Sequence, residues 1–496
     1  MKGLNFSNHF RRVVLFGLFA SPFALMPLVG KEQPKLKIDN DPLTHNEGIT
    51  TTFAPVVKKV APSVVNIYTA KMVRNNRNAD SDAMLRQFFF GGRQPNIPQE
   101  RREQSLGSGV IVSADGYILT NNHVVENADE IKVALQDNVT IYDAKLIGAD
   151  PQTDIAVLKV SGASLPAITV ADSDGIEVGD VVLAIGNPFG LGQTVTSGIV
   201  SAKGRGGMGI IDYEDFIQTD ASINPGNSGG ALVDAGGRLI GINTAILSRS
   251  GGNQGVGFAV PINQARFVME RLITNGKVTR GHLGIMIQPL TPELAKEFKL
   301  EENTGALVGD VTTSSPADRA GIKAGDVIKT FDGKKIHDGR HLRLLVAQTS
   351  PGKDVTLTIL REGKDLEISV RPEEQPAGGL AKAGQQDGMK RDSGQDPLNG
   401  ITVGDIDSRT RREFDLPSQI RSGAVVVAVT AGSPADRANI QPGDVILEIN
   451  RKPVQNADDA IETSKQLEDS RVLIRLWSKG SIQYLVVEDR ADSSDR

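Results

Sequence analysis

No cysteine occurs among the 496 residues, which excludes a thiol nucleophile, a thiolate-bound metal and any disulfide staple. Aromatic residues are scarce, at 4% with a single tryptophan, while glycine is abundant at 53 residues. That balance suits many short strands and tight turns. Charge of one sign is also missing. A formal net charge of -5 is small for this length and argues against general nucleic-acid binding. No Gly-x4-Gly-Lys-Ser/Thr loop is present, so ATP-driven unfolding by this chain is not expected. Beyond the N-terminus no segment approaches the ~20 apolar residues needed to span a bilayer. The chain is too long for one hydrophobic core, and about two to four domains are expected.

The N-terminus indicates the compartment. Lys2, Arg11 and Arg12 precede an apolar run over residues 13–29, followed by Lys31 and Glu32. This is the basic-then-apolar layout of an export signal, assigned to residues 1–30, and Pro22 and Pro27 would interrupt a buried core helix there. No clear Ala-x-Ala site follows, so removal and retention as an anchor both stay open. Arg11-Arg12 matches a twin-arginine signal poorly. A polar leader over 31–50 completes the segment.

From 51 to 261 the pattern is short apolar runs punctuated by glycine, at 63–68, 110–112, 131–135, 156–160, 181–185, 194–200, 239–243 and 257–260. Asp115-Gly116 and Gly236-Gly237 fall where hairpin turns would lie. Many short strands without alternating helices predict an all-β barrel or sandwich. After Pro261, Ala265, Val268, Met269 and Leu272 recur at helical spacing. The second half contains a repeat of domain size: the run from Ser315-Pro316-Ala317-Asp318-Arg319-Ala320 to Ile328 recurs from Ser433-Pro434-Ala435-Asp436-Arg437-Ala438 to Ile446. Between the copies, 373–398 is rich in Gly, Gln, Asp and Lys and reads as a flexible linker spanning roughly 25–30 Å.

Three short motifs carry chemistry: Thr120-Asn121-Asn122-His123-Val124-Val125, Asp150-Pro151-Gln152-Thr153-Asp154, and Asn224-Pro225-Gly226-Asn227-Ser228-Gly229-Gly230. A serine hydroxyl needs a base within hydrogen-bond reach, and the base needs a carboxylate to fix its tautomer. The glycines around Ser228 permit a tight turn whose N–H groups point at one spot, so Gly226, Ser228 and Asn227 are the candidate oxyanion donors. Of the six histidines, only His123 lies inside the β-rich domain. Asp154 directly precedes an apolar strand and can point inward, whereas Asp150, followed by Pro151, reads as a solvated turn. Gly226-x-Ser228-x-Gly230 also fits the nucleophile elbow of α/β-hydrolases, but that fold requires a strand–elbow–helix context and the order Ser, acid, His. Here the order is His, Asp, Ser, that of the chymotrypsin-type double barrel. Gly204-x-Gly206-x-x-Gly209 lacks the following helix that a dinucleotide site requires.

With these motifs in view, the chain resembles the HtrA/Deg family of exported serine proteases. The likeness rests on the His123 motif, Phe216-Ile217-Gln218-Thr219-Asp220-Ala221, Gly226-Asn227-Ser228-Gly229-Gly230 and Gly241-Ile242-Asn243-Thr244-Ala245-Ile246. It implies a mainly β chain: a chymotrypsin-like double β-barrel protease domain over 51–278, then PDZ domains (α+β) over 279–372 and 399–489, and a tail over 490–496. It further implies ATP-independent, cofactor-free and metal-free cleavage of unfolded or misfolded envelope proteins in the periplasm. Chaperone-like holding, homotrimers and larger cages follow from the same likeness.

Each PDZ unit would add a substrate's C-terminal tail as a strand and hold its carboxylate in a backbone nest. The carboxylate loop would be Leu283-Gly284-Ile285-Met286 in the first. In the second the aligned stretch is Asn399-Gly400-Ile401-Thr402, where polar Asn399 departs from the pattern. Ile223, Asn243, Thr244, Ala245 and Ile246 match positions that contact substrate, with Ile223 and Ile246 suiting small aliphatic residues before the scissile bond. The insertion over 71–104, with Phe88-Phe89-Phe90, matches a loop able to hold a neighbouring subunit inactive, and Phe53 a trimer contact. Two other readings are a holding chaperone or PDZ scaffold with an incidental barrel, and a membrane-anchored regulatory protease. Peripheral membrane association is compatible with both.

Overall fold

The computed structural model describes residues 33–41, 52–73, 101–137, 139–162, 164–187, 192–224, 226–246, 254–300, 302–375, 400–466 and 471–488. The export signal, residues 42–50 of the leader, 74–100 with Phe88-Phe89-Phe90, 376–399 with Asn399, and the tail lie outside them. No helix among the described residues is long and apolar enough to cross a membrane.

Two barrels form the N-terminal half. A short strand β1 (Lys37–Ile38) precedes them. Strands β2 (Val64–Val73), β3 (Arg101–Ile111), β4 (Tyr117–Asn121), β5 (Glu130–Ala134), β6 (Ile141–Asp150) and β7 (Ile155–Val160) close in the order β2-β3-β4-β7-β6-β5. After β8 (Thr169–Val170) come β9 (Val181–Gly186), β10 (Thr194–Arg205), β11 (Phe216–Thr219), β12 (Ala231–Asp234), β13 (Arg238–Ile246) and β14 (Gly257–Pro261). These run β13-β12-β9-β10-β11-β14, and pairing of β13 with β14 closes the second ring, with β8 and β1 added outside β13.

The continuous apolar runs have a simple cause: both faces of these strands are buried. Ile111, Ile118, Ala156 and Leu158 fill the first barrel. Their neighbours Val110, Leu119, Ile155 and Val157 face a shared core that also takes Leu183, Ile185, Phe216 and Leu239 from the second barrel. Val182, Ala184, Leu232 and Ile240 fill the second barrel's interior. Period-2 alternation therefore sends one side of each of β3, β4, β7 and β9 into its own barrel and the other into the seam. The helix Ile262–Asn275 seals that seam with Ala265, Val268, Met269 and Leu272.

Two β–α units follow. The first comprises β15 (Gly281–His282), β16 (Ile285–Gln288), β17 (Ala306–Val311), β18 (Val327–Phe331), β19 (Lys334–Lys335), β20 (Val355–Arg361), β21 (Lys364–Val370) and β22 (Glu373–Glu374). The second comprises β23 (Ile401–Asp405), β24 (Ala424–Val429), β25 (Val445–Ile449), β26 (Lys452–Pro453), β27 (Arg471–Ser478) and β28 (Ser481–Glu488). Their sheets have matching orders, β16-β17-β18-β20-β21 and β23-β24-β25-β27-β28. The repeated Ser-Pro-Ala-Asp-Arg run is a short capped helix in both: the Ser315 hydroxyl accepts from Asp318 N, the Ser433 hydroxyl from Asp436 N, and proline takes the first turn. Each capping serine packs against a glycine of left-handed φ, Gly284 at +74° and Gly400 at +98°, where any Cβ would collide with it. Both units thus set a glycine against the capping serine.

Two boundaries differ from expectation. The barrel ladder pairs β2 with β3 out to Val73 and Arg101, so 71–73 and 101–104 are strand rather than loop. Glu373–Glu374 pairs with Gly281–His282, so the charged stretch read as linker begins as a strand closing the first unit.

Candidate active site

The site is built where β4 leaves the first barrel. Asn122–Val125 forms one helical turn immediately after β4 and carries His123. Asp154 lies in the β6–β7 turn at φ +56°, an uncommon conformation for a residue with a Cβ. Both of its carboxylate oxygens serve His123: Oδ1 accepts from the backbone N–H at 2.9 Å, and Oδ2 lies 2.7 Å from Nδ1. The imidazole is 31% exposed and the carboxylate 9%. Burial alone pushes the His123 pKa down, but the charge and hydrogen bond of Asp154, with Glu126 adding, carry it above the ordinary value of 6.5.

Ser228 comes from the second barrel, in the turn between β11 and β12. It is 8% exposed. Its carbonyl accepts from Ser108 N–H on β3 at 2.9 Å, which pins the turn to the first barrel. Gly229, at φ +83°, lies so close to the Ser108 carbonyl and the Thr120 hydroxyl that no side chain fits. The Ser228 hydroxyl donates to the carbonyl of Thr244 at 3.2 Å.

The candidate oxyanion donors are unequal. The Ser108 hydroxyl donates to the Gly226 carbonyl at 2.7 Å, and Asn227 N–H donates to the Asn224 carbonyl at 3.0 Å. The Asn227 amide is thus already engaged, while Gly226 sits at φ +100°. Of the substrate-contact candidates, Asn243 and Thr244 lie buried on β13, where Asn243 exchanges backbone hydrogen bonds with Gly229 and Gly230. Ala245 and Ile246 pair with Phe258 and Gly257. Ile223 is buried in the second barrel's interior and packs over Gly257. In the first β–α unit, Leu283 is buried, Gly284 turns the chain, and Ile285 and Met286 begin β16, whose other edge carries no strand among the described residues.

Asp150 is corrected. It is no solvated turn: it is buried and pairs with Arg280 at 2.5 Å, both carboxylate and guanidinium being under a tenth exposed. Thr153 donates to the same carboxylate. Arg280 also lies 4.6 Å from the Tyr213 ring, with Arg343 of the first PDZ unit at 4.8 Å. Asp150 therefore fastens the first barrel to the next domain. Sequence reasoning also missed Ser108, Asn121 and Asn187, all fully buried. The signal was available in the polar Thr120-Asn121-Asn122 run closing an apolar strand.

A trypsin-like peptidase domain model matches residues 107–242, and PDZ domain models match 281–371 and 425–478. The probable periplasmic serine endoprotease DegP-like of Chlamydia trachomatis serovar D is 40% identical over 457 residues, 89% of each chain. The chain belongs to the DegP-like family of HtrA-type serine proteases. The periplasmic serine endoprotease DegP of Salmonella typhimurium is 42% identical, covering 82% of this chain and 85% of that one. Among solved structures, the HtrA-type protease AlgW with tripeptide has a TM-score of 0.54 at 49% identity, covering 66% of this chain and 98% of that one. AlgW with decapeptide gives 0.53 at 50% identity, covering 66% and 99%. As a DegP-like protein this chain is a periplasmic serine endopeptidase with a trypsin-like domain and two PDZ domains.

Proposed function

We propose that this endopeptidase cleaves unfolded or misfolded envelope proteins without ATP, through an acyl-enzyme formed on Ser228. His123 takes the Ser228 proton as the hydroxyl attacks the scissile carbonyl, then gives it to the leaving amine. Asp154 fixes the imidazole with Nδ1 protonated, so that Nε2 is the base, and stabilises the imidazolium. Water, activated by the same imidazole, then releases the acyl group and restores the hydroxyl. Backbone N–H groups of Gly226 and Ser228, with Asn227 once its amide leaves Asn224, hold the oxyanion; one such donor is worth about 3–4 kcal/mol.

The observation that carries this reading is the double engagement of His123 by Asp154, at 2.9 and 2.7 Å, beside a serine anchored across the barrel seam. In the proposed reaction the Ser228 hydroxyl, which donates to the Thr244 carbonyl, leaves it for the imidazole. The PDZ units bind substrate tails, Leu283, Gly284, Ile285 and Met286 forming the first carboxylate loop, and a tethered tail raises the local concentration of the rest of that chain to about millimolar. Homotrimers, larger cages and holding of unfolded chains complete the proposal.

Purified protein and its Ser228→Ala variant are to be compared on casein and on an aggregating client. The expected result is digestion by the first alone and suppressed aggregation by both; equal casein turnover by both defeats the assignment.

A further inference from the structure

Asn121 is the last residue of β4 and the residue preceding the His123 helical turn. An asparagine there ordinarily turns its side chain back to cap the helix. Here it does not. The Asp154 carboxylate takes the His123 backbone N–H instead, and the fully buried Asn121 amide is left to point elsewhere. Its Nδ2 donates to the Asp154 carbonyl at 3.0 Å and to the Thr244 hydroxyl oxygen at 2.9 Å.

The orientation of this amide is fixed by its partners. The Asp154 carbonyl can only accept. The Thr244 hydroxyl gives its own proton to the Ile242 carbonyl at 3.1 Å, so towards Asn121 it presents a lone pair. Both neighbours demand N–H, and a flipped amide would face two acceptors. The amide thereby joins two things that belong to different barrels. One is the left-handed turn that aims Asp154 at His123. The other is Thr244 on β13, whose carbonyl accepts the Ser228 hydroxyl.

We propose that Asn121 is a positioning residue that sets the register between the acid–base pair of the first barrel and the nucleophile of the second. It touches neither substrate nor reacting atoms, and it acts by holding the Asp154 turn and β13 at one separation. The proposal rests on the triad reading above and extends it to the residue that aligns the two halves.

Misalignment of a nucleophile and its base by a fraction of an ångström to one ångström costs up to about 100-fold in rate. In full-length protein, Asn121→Ala and Thr244→Val each cut the same link, from opposite ends. Peptide hydrolysis by each single variant and by the double variant gives kcat and KM, and thermal unfolding reports folding. The expected result is a fall in kcat of about 10- to 100-fold for each single variant with KM within about twofold. The double variant should lose no more than the worse single one, because the link is already cut. Wild-type kcat in Asn121→Ala, or a double loss equal to the product of the single losses, overturns the proposal. Should Asn121→Ala not fold, Thr244→Val decides alone: a kcat-only loss supports the link and an unchanged kcat removes it. Ser228→Ala run alongside separates the two levels. If that variant hydrolyses as well as wild type, the triad reading has failed; if it is inactive while Asn121→Ala is fully active, only the positioning role has.

Discussion

The two barrels contribute to one site at different stages of readiness. In the first, His123 and Asp154 are already joined by two hydrogen bonds, and the acid's turn holds a left-handed conformation to make them. In the second, Ser228 is anchored through its carbonyl to Ser108, yet its hydroxyl rests on Thr244. On the proposed assignment, the base is prepared within one barrel and the nucleophile is delivered to it from the other.

The strongest way to break this comparison is to remove one contribution from each barrel. Ser228→Ala and His123→Ala should each lower kcat by about a millionfold, and the double variant should be no worse, since the two act as a unit. Multiplicative losses measured by steady-state peptide hydrolysis would mean the barrels act separately. Next, Asp154→Asn keeps the shape but favours the wrong imidazole tautomer and should cost about 10⁴-fold in kcat. Cutting Asp150 from Arg280 should spare the chemistry and weaken the fold. Either residue changed to Ala leaves a buried charge unpaired, at a cost of about 3–5 kcal/mol in chemical unfolding. The smallest effect sharpens the picture of the base. Catalysis needs neutral imidazole, and Asp154 holds the His123 pKa above 6.5, so the acidic limb of kcat/KM should lie above that value. In Asp154→Asn the charge is gone while burial still disfavours the imidazolium, so the limb should move to lower pH even as the rate falls.

Much of this architecture was legible because its causes are local. Glycine turns and β-branched runs marked most barrel strands, and the helix after Pro261 followed from spacing alone. The proposed triad was read partly by elimination, His123 being the one histidine in the β-rich region. What escaped depended on distant partners. Strand β6 alternates exposed and half-buried residues over most of its length, so it carries no apolar run to notice. Glu373–Glu374 resembles linker until its pairing with Gly281–His282 is known. Asp150 read as a solvent-facing turn because Arg280, which neutralises it, comes from the following domain. Asn121 stood in the His123 motif with no role of its own, since its partner Thr244 comes from the second barrel.

The measurement that bears most directly on delivery of the serine to the base is covalent labelling by a fluorophosphonate, read by intact mass and peptide mapping. One label per chain on Ser228 is predicted, nearly abolished in His123→Ala even though the serine remains. Labelling at another residue, or undiminished labelling of Ser228 without His123, would contradict the account.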